Sequence, residues 1–288
     1  MYHNRENILK IKAQVDVLDP SLFDHVAISN CEINDSTISI VMTASNRSKQ
    51  TYYTLDSIAR STIRSVHIIV VDDSVHDPLT VERLRSYPFY IDFIQINRAN
   101  KYWHNPCVNY NIGFKFIKGS KVIIQNAEVC HIGDVCAHVS SKINDNEYHA
   151  FDVNSTLNFD CNEIIYNSSG TYEELITKSN IYQCWYQSQT RNLYFHFLTA
   201  LTRDTFNKIK EFSYDYAFGI AYDDCDLVLK IKSLGITFIN VFHEENNIMG
   251  IHLHHSSTEN LRFPFNKSIF ETKDKKCTET GKYIDFIV

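Results

Sequence analysis

Three carboxylates stand at the start of one amphipathic segment in the C-terminal third of the chain. Asp223, Asp224 and Asp226 precede apolar residues at helical spacing in the stretch YDDCDLVLKIKSLG. Capping and the helix dipole explain one or two carboxylates at such a position. A third adds like-charge repulsion, which raises a carboxyl pKa and suits a general base. The cluster therefore indicates acid–base chemistry, with helix capping as the structural alternative.

Polar segments also follow three short apolar runs that are typical of buried parallel strands. The runs ISIVMT (38–43), VHIIVV (66–71) and KVIIQ (121–125) end in ASNR, DDS and NAE. A further run, YIDFIQI (90–96), ends in NRANKYWHNP, and helical patterns lie between the runs. This alternation predicts an α/β fold with a doubly wound, mostly parallel sheet and flanking helices. Ligands of such sheets bind at the carboxyl ends of the strands, so we expect these polar segments to form one site.

The chain is expected to have one main domain with an extension at each end. Residues 1–36 would form an N-terminal extension, residues 37–258 the main domain, and residues 259–288 a C-terminal extension or tail. The main domain contains all the strand runs and the acidic cluster.

Several stretches carry weaker local signals. A helix is predicted over 5–15, and a helical turn or loop over 19–29. The stretch NPCVNYNIGFKFIKGS predicts a helix that ends at Gly119, since glycine is a common C-terminal stop. The Asn-, Tyr- and Ser-rich stretch 142–190 has no clean periodicity, and we expect loops and short strands that cover the site.

The composition describes a packed, acidic, globular chain. Of 288 residues, 44% are hydrophobic and 22% charged, which supports a large core and excludes wholesale disorder. The formal net charge of -6 argues against nucleic acid as a partner. Eight cysteines without a C-x-x-C pair suit free thiols in a reducing compartment. No apolar run approaches the roughly 20 residues of a transmembrane segment, so we expect a soluble, cytoplasmic protein whose membrane association would be peripheral.

Four segments, in chain order, resemble family-2-type glycosyltransferases of the GT-A fold. ISIVMTASNR resembles their first strand with its nucleotide-binding loop, and VHIIVVDDSVHDP resembles their second strand. NPCVNYNIGFKFIKGSKVIIQNAEVCHIGDV resembles their Asn-x-Gly helix, the next strand and the short acidic motif after it. YFHFLTALTRDTFNKIKEFSYDYAFGIAYDDCDLVLKIKSLG resembles the acceptor-side segment with its Glu-Asp-x-Asp motif. The resemblance covers most of residues 37–258 and implies a single GT-A-like domain.

The resemblance implies transfer of a sugar from a nucleotide-diphosphate sugar to a hydroxyl group. The expected donor is a UDP-sugar, and the expected acceptor is a saccharide, a glycoprotein or a glycolipid. Such a transfer develops positive charge on the sugar and negative charge on the leaving diphosphate. A divalent cation, Mn²⁺ or Mg²⁺, can neutralise the diphosphate, while a carboxylate deprotonates the acceptor hydroxyl and the sugar is inverted.

The same resemblance implies a role for each polar segment. Asp224 would be the catalytic base and Asp223 would orient the acceptor, which leaves Asp226 as a structural or capping residue. The metal ligands would be Glu128, then His255 as the histidine that best fits the family position, and His252 as the second. The nucleotide pocket would be formed by Thr43, Ala44, Ser45, Asn46, Asp72, Asp73 and Asn126. One aspartate of the 72–73 pair would hydrogen-bond the base or the ribose.

Two positions depart from the family pattern. Asn126 replaces the first acid of the usual Asp-x-Asp motif, which lowers the charge offered to a metal. Tyr110 stands where the family often has arginine just before its Asn-x-Gly motif. Arg47, Arg98 and Lys101 are the candidates for the cation that this arginine would have supplied.

Other aromatic and histidine residues favour structural roles. Three aromatics could stack on sugar rings, although burial is the commoner role: Trp103, Trp185 and Tyr186. His196, in YFHFL, is expected in the core. Strand alternation would place His252 and His254 on one face and His255 on the other.

The leading function hypothesis is an enzyme, and its alternative is a GT-A-fold protein that binds nucleotide or glycan without turnover. Asn126 and the missing arginine motivate the alternative, whereas the acidic cluster favours the enzyme, because a scaffold has no need of repelling carboxylates. A sugar-1-phosphate nucleotidyltransferase would need a glycine-rich loop after its first strand, and ASNRSKQ has no glycine. A dinucleotide-dependent oxidoreductase is disfavoured because no G-x-G-x-x-G follows a predicted strand.

Overall fold

The computed structural model describes residues 3–188, 191–256 and 263–286. The strands are β1 (Phe23–Ser29), β2 (Ile38–Ala44), β3 (Val66–Asp72), β4 (Tyr90–Ile96), β5 (Lys121–Gln125), β6 (Val129–Ile132), β7 (Glu147–Phe151), β8 (Val153–Thr156), β9 (Tyr182–Ser188), β10 (Arg191–Asn192), β11 (Leu198–Thr202), β12 (Thr237–Val241) and β13 (Met249–His252). The α-helices are α1 (His3–Asp16), α2 (Ser48–Ala59), α3 (Val81–Leu84), α4 (Cys107–Phe114), α5 (Val135–Lys142), α6 (Phe159–Tyr166), α7 (Tyr172–Ile176), α8 (Arg203–Ile209), α9 (Asp223–Ser233), α10 (His243–Asn246) and α11 (Phe263–Thr280).

The larger sheet has eight strands in the order β1-β4-β3-β2-β5-β11-β7-β12. Its centre is parallel, since β5, β2, β3 and β4 run side by side in one direction. These strands are rich in β-branched residues and buried along almost their whole length, because helices cover both faces of the sheet. The predicted α/β fold with flanking helices is confirmed, and the four predicted strand runs form this parallel centre.

Antiparallel strands extend the sheet on either side of its centre. The expectation of a helical turn or loop over 19–29 is wrong for Phe23–Ser29, which form β1 and pair antiparallel with β4. The segment has a mixed pattern of buried and exposed residues, with Asp24 and His25 exposed at the sheet edge. Pairing with β4 decides its structure, because strand formation depends on tertiary context more than on local signals.

A second sheet has five strands in the order β10-β9-β8-β13-β6. Strand β13 lies at its centre, parallel to β8 and antiparallel to β6. Its strands β8 and β9 come from the stretch 142–190, where short strands are predicted; the same stretch also contains α6 and α7 and contributes β7 to the larger sheet.

Helix α4 packs unusually close to the parallel strands. A Cβ atom added to Gly113 would lie 2.9 Å from Cγ1 of Val41 in β2 and 3.2 Å from Cγ2 of Val71 in β3. The helix ends at Phe114 rather than at the predicted Gly119. Gly119 instead lies against the backbone of Thr37, where a Cβ would come within 2.2 Å of the carbonyl oxygen. Close backbone approach, rather than helix termination, explains the second glycine.

The ends of the chain are folded onto this core. Helix α1, predicted over 5–15, buries Ile8, Ile11 and Val15 in the cluster on one side of the sheet. Helix α11 forms from the predicted C-terminal extension and contacts α9. Across the described residues, no helix combines the length and the apolarity needed to cross a bilayer.

Candidate active site

A cavity of about 370 Å³ opens at the carboxyl edge of the parallel strands. Its walls come from the segments that follow β2, β3 and β5, from the N-terminal end of α4 and from the start of α9. The lining residues that the sequence singled out for roles are Thr43, Ala44, Ser45, Asp73, Asn126, Glu128, Asp223 and Asp224. The strand order thus brings together polar segments that are up to 181 positions apart (Thr43 to Asp224), as expected for ligand sites of open α/β sheets.

Two of the predicted nucleotide-pocket residues shape the loops beside this cavity. Asn46 adopts a left-handed conformation (φ 54°), and its Oδ1 accepts hydrogen bonds from successive backbone amides that begin at Val75 (2.8 Å). Asn46 lines an adjoining cavity of about 550 Å³. Asp72 is fully buried, and its carboxylate accepts hydrogen bonds from the backbone amides of Ser74 (3.0 Å) and Leu79 (2.8 Å). Its contacts hold the loop after β3.

Asp73 is the member of the aspartate pair that faces the cavity. Nη1 of Arg98 lies 2.5 Å from its Oδ1, and Nζ of Lys101 pairs with its Oδ2. Nδ2 of Asn109, in α4, lies 3.5 Å from the same Oδ2. Two of the three candidate phosphate-neutralising cations therefore neutralise Asp73 in this structure.

Glu128, His252 and His255 form a group of potential metal ligands. Pairing of β6 with β13 places His252 beside Val129, next to Glu128. Nε2 of His252 lies 3.4 Å from Oε1 of Glu128, and Nε2 of His255 lies 3.5 Å from the same oxygen. The prediction that strand alternation separates His255 from His252 is wrong, because β13 ends at His252 and the alternation does not continue to His255. His254 points away and packs edge-on against an aromatic ring of α6.

The donor set of this group suits a divalent cation. Oε2 of Glu128 is buried and has no hydrogen-bond partner among the described residues. Burial alone would raise the pKa of Glu128, but Arg47 and the two histidines lower it to about 2, so the carboxylate is ionised. Arg47 also forms an ion pair with Oε1 of Glu128. One carboxylate and two imidazoles fit Mn²⁺ better than Mg²⁺, which prefers oxygen ligands throughout.

Asp223 and Asp224 lie at the first turn of α9 and belong to the same cavity wall. Oδ1 of Asp224 lies 2.5 Å from Nδ1 of His196, and Asp224 is partly exposed to the cavity. Asp223 is buried and accepts a hydrogen bond from Nδ2 of Asn105 (3.0 Å). Burial and the charge of Asp224 raise the pKa of Asp223 to about 6. Burial acts to lower the pKa of His196, but the two carboxylates raise it above its usual value.

Asp226 belongs to a different environment one turn further along. Its Oδ1 accepts a hydrogen bond from the hydroxyl of Tyr216 (3.0 Å), and its Oδ2 accepts one from Tyr283 (2.5 Å). Nζ of the fully buried Lys273 lies 3.4 Å from Oδ1. The third aspartate is therefore a buried structural residue, as its predicted role implied.

Sequence reasoning missed His196 and Asn105 as parts of the site. His196 is buried, as expected of a core residue, and it also lines the cavity and pairs with Asp224, which the sequence did not predict. Its apolar neighbours in YFHFL gave no sign of a polar partner. Tyr110, at the family's arginine position, donates a hydrogen bond to the carbonyl of Gln125 (2.8 Å) and holds the strand end that carries the Asn-Ala-Glu segment.

The predicted aromatic platforms are either buried or outside the described side chains. Trp103 is 1% exposed, and its Nε1 donates to Oδ1 of Asn109 (2.8 Å), so it is part of the core. The side chains of Trp185 and Tyr186 lie outside the part of the chain that the structure describes.

Several solved structures share this fold. A mannosyltransferase, PcManGT from Pyrobaculum calidifontis in complex with GDP-Man and Mn²⁺, is 12% identical with a TM-score of 0.50, over 97% of this chain and 75% of that one. TarS from S. aureus in complex with UDP-GlcNAc is 11% identical with a TM-score of 0.53, over 77% of this chain and 60% of that one. GalNAc-T7 with UDP, GalNAc and Mn²⁺ is 12% identical with a TM-score of 0.51, over 77% of this chain and 44% of that one. The chain thus spans less than two thirds of the last two proteins.

The family assignment rests on the sequence itself. Among curated protein sequences, none matches this chain. The model of the family described as "Glycosyl transferase family 2" matches residues 39–208, which are more than half of the chain. That range includes the loop that resembles the family's nucleotide-binding loop, the Asn-x-Gly helix and the Asn-Ala-Glu segment. The resemblance predicted from these motifs is confirmed, and the chain belongs to glycosyl transferase family 2.

Proposed function

We propose that the protein transfers a sugar from a UDP-sugar to a hydroxyl acceptor, with inversion at the sugar, and that Asp224 is the base. The observation that carries this proposal is the arrangement of the cavity. Glu128, which His252 and His255 contact, lies on one wall, and the acid pair of α9 lies on another. The first group suits a leaving diphosphate and the second suits an acceptor hydroxyl, so the reacting sugar carbon would lie between them.

The residues of the cavity divide the work of a single displacement. Asp224 takes the proton of the acceptor hydroxyl as the acceptor oxygen bonds to the sugar carbon and the bond from that carbon to the diphosphate breaks. Asp223 accepts a hydrogen bond from the acceptor and orients it, while His196 holds Asp224 in place. Arg47 offers positive charge to the departing nucleoside diphosphate. A divalent cation held by Glu128, His252 and His255 would supply further charge neutralisation there.

A protein that binds nucleotide or glycan without turnover remains the alternative, and Asn126 supports it. Asn126 offers a neutral amide where the family usually has a carboxylate, and Arg47 already neutralises Glu128. Against it stands the environment of the acid pair. Asp223 is held next to Asp224 at the cost of a raised pKa, an arrangement that binding alone does not require.

The Asp224→Asn variant tests the base, with Asp204→Asn, an exposed aspartate in α8, as the matched control. We expect UDP to bind both variants as it binds the parent, and UDP-sugar transfer by Asp224→Asn to fall by roughly 10²- to 10⁴-fold. Transfer that survives at the parental rate would remove Asp224 as the base. Absence of transfer in the parent protein, with UDP binding intact, would favour the alternative.

Calorimetric titration tests the donor and the metal independently of turnover. UDP, GDP and CMP are titrated with Mn²⁺ and then with EDTA, on the parent protein and on Glu128→Gln. We expect UDP to bind most tightly, binding of the parent to weaken when EDTA removes Mn²⁺, and Glu128→Gln to lose the difference between the two conditions. Parental binding that ignores EDTA would contradict a metal at this group.

A further inference from the structure

The turn formed by Ala221 and Tyr222, directly before α9, has a strained backbone. Ala221 and Tyr222 are consecutive non-glycine residues in the left-handed region, with φ of 60° and 66°. Such residues persist only where the surrounding structure holds them, and they are concentrated at functional sites. Tyr222 is also the N-cap of α9 and makes no side-chain capping hydrogen bond. The backbone that delivers Asp223 and Asp224 into the cavity must therefore be held from outside the turn.

One face of α11 supplies that support. Asn266, Phe270 and Lys273 are spaced four and three positions apart, so they lie on the same side of the helix. Each contacts the segment from 215 to 226. We call these three residues the C-terminal latch.

Asn266 holds the strained turn directly. It is fully buried, and its Nδ2 donates hydrogen bonds to the carbonyl of Ala221 (2.9 Å) and to the carbonyl of Tyr216 (3.2 Å). Gly219 leaves the room for this side chain, since a Cβ there would lie 2.0 Å from Oδ1 of Asn266. The amide and the glycine therefore fit together as a pair.

The other two latch residues contact the turn itself and the residues on both sides of it. The ring of Phe270 stacks on the ring of Tyr222, with centroids 5.6 Å apart. Nζ of Lys273, fully buried, lies 2.7 Å from Oδ2 of Asp215 and 3.4 Å from Oδ1 of Asp226. Contacts thus reach the chain on both sides of the acid pair, from Asp215 to Tyr222 before it and at Asp226 after it.

We propose that the C-terminal latch positions the acid pair for transfer, with Asn266 as a positioning residue that acts through the carbonyl of Ala221. The proposal rests on the proposed function, in which Asp224 is the base. Within the described part of the chain, the latch contacts given above all go to residues 215–226 and none to the segments after β2, β3 or β5, which form the nucleotide side of the cavity. Loosening the latch should therefore slow transfer and leave nucleotide binding intact.

A double-mutant cycle of Asn266→Ala and Gly219→Ala tests the latch. Each single variant should lower kcat by roughly 10- to 100-fold, because small displacements of a catalytic group have effects of that size. UDP affinity should stay within about twofold of the parent in both, since the latch is remote from the nucleotide side. In the Asn266→Ala background, Gly219→Ala should lower kcat little further, because its added methyl group no longer meets the side-chain amide of residue 266. Lys267→Ala, on the exposed side of α11, is the matched control and should behave as the parent.

Hydrogen exchange gives a readout that does not depend on activity. In Asn266→Ala, the amides of 219–227 should exchange faster, while those of β2, β3 and β5 should not change. Phe270→Leu provides a milder second variant in case Asn266→Ala does not fold, with the same expected pattern at smaller size. Unchanged kcat together with unchanged exchange over 219–227 would overturn the latch. If Asp224→Asn retains full transfer, the base assignment fails, and the exchange data still decide whether the latch holds the turn.

Discussion

Asp223, Asp224 and Asp226 are the same residue type within four positions, yet each has a different environment. Asp226 is neutralised by Lys273 and hydrogen-bonded on both oxygens. Asp223 is buried beside a like charge, and Asp224 lines the cavity next to His196. A single helical turn therefore separates a structural carboxylate from two that are available for chemistry, and the partners, rather than the residue type, decide which is which.

The pH dependence of transfer should report the acid pair. Because burial and the charge of Asp224 raise the pKa of Asp223 to about 6, we expect kcat/KM to fall as the pH drops below about 6 and the pair takes up a proton. Asp223→Asn removes the neighbouring charge, so the acid limb should move to lower pH. Asn105→Ala removes a hydrogen bond that stabilises the carboxylate, so the limb should move to higher pH. Profiles of kcat/KM between pH 4.5 and 8 would measure both shifts. If neither variant moves the acid limb, the limb belongs to a group other than the acid pair.

At the scale of the element, pairings between strands and helices set the geometry of the site. The potential metal ligands Glu128 and His252 lie close together because β6 and β13 are neighbours in the second sheet. The two loops proposed to bind the nucleotide lie side by side because β2 and β3 end together, with Ala44 opposite Asp72. Helix α4 places Asn109 and Tyr110 at the same edge, and its distance from the sheet is set by Gly113.

Gly113→Ala should destabilise the protein by about 1–3 kcal/mol, because the new methyl group would overlap Val41 in a packed core. The free energy of unfolding, from denaturant titration, measures this cost. Val41→Ala should create room for the methyl group. The double variant should therefore cost less than the sum of the two single variants. If the losses in the free energy of unfolding are additive, the close contact between Gly113 of α4 and Val41 of β2 is not the cause of the destabilisation.

At the scale of the whole molecule, two large apolar clusters lie on opposite faces of the central sheet, and a buried charge network lies near one edge. Asp92, in β4, is 1% exposed. It pairs with His25 and His67, each at 2.8 Å, and with Lys118. Asp92 therefore links β1, β3 and the segment before β5 through a single carboxylate.

This network predicts loss of stability in acid. Burial alone would raise the pKa of Asp92, but His67, Lys118 and His25 lower it from 3.8 to about 2. A lowered folded-state pKa contributes stability that is complete above pH 3.8 and is lost as the pH falls through about 2, here about 2 kcal/mol. Burial also lowers the pKa of His67, so stability should already begin to fall below pH 6.5.

Denaturant midpoints from pH 7 to pH 2.5 would measure this dependence. Asp92→Asn should lower stability at neutral pH and flatten the part of the curve below pH 4. A curve with the same slope in the parent and the variant would show that Asp92 does not contribute to acid unfolding.

The parallel centre of the fold could be predicted because its strands are continuous β-branched runs bounded by polar segments. The site could be predicted in part for the same reason, since Asp73 and Glu128 follow recognisable strands within three positions and Asp224 lies in the first turn of a recognisable helix. Strand β1 could not, because its pairing with β4 overrides a weak local pattern. The roles of His196 and of the latch residue Asn266 could not be predicted either. Their roles depend on partners that are 28 and 45 positions away in the chain.

Strand β11 lies between β5 and β7, although the chain makes it after both. While the ribosome synthesises residues 126–197, β11 has not yet been made, so the edge of β5 that β11 will occupy has no strand to pair with. During that interval, the half-built sheet presents a row of free backbone donors and acceptors, the kind of surface on which separate chains associate. Once Leu198–Thr202 arrive, they join the two halves of the sheet through pairs with both neighbours. The order of synthesis thus makes one five-residue strand the element that joins β5 to β7, and β12, made later still, then covers the outer edge of β7.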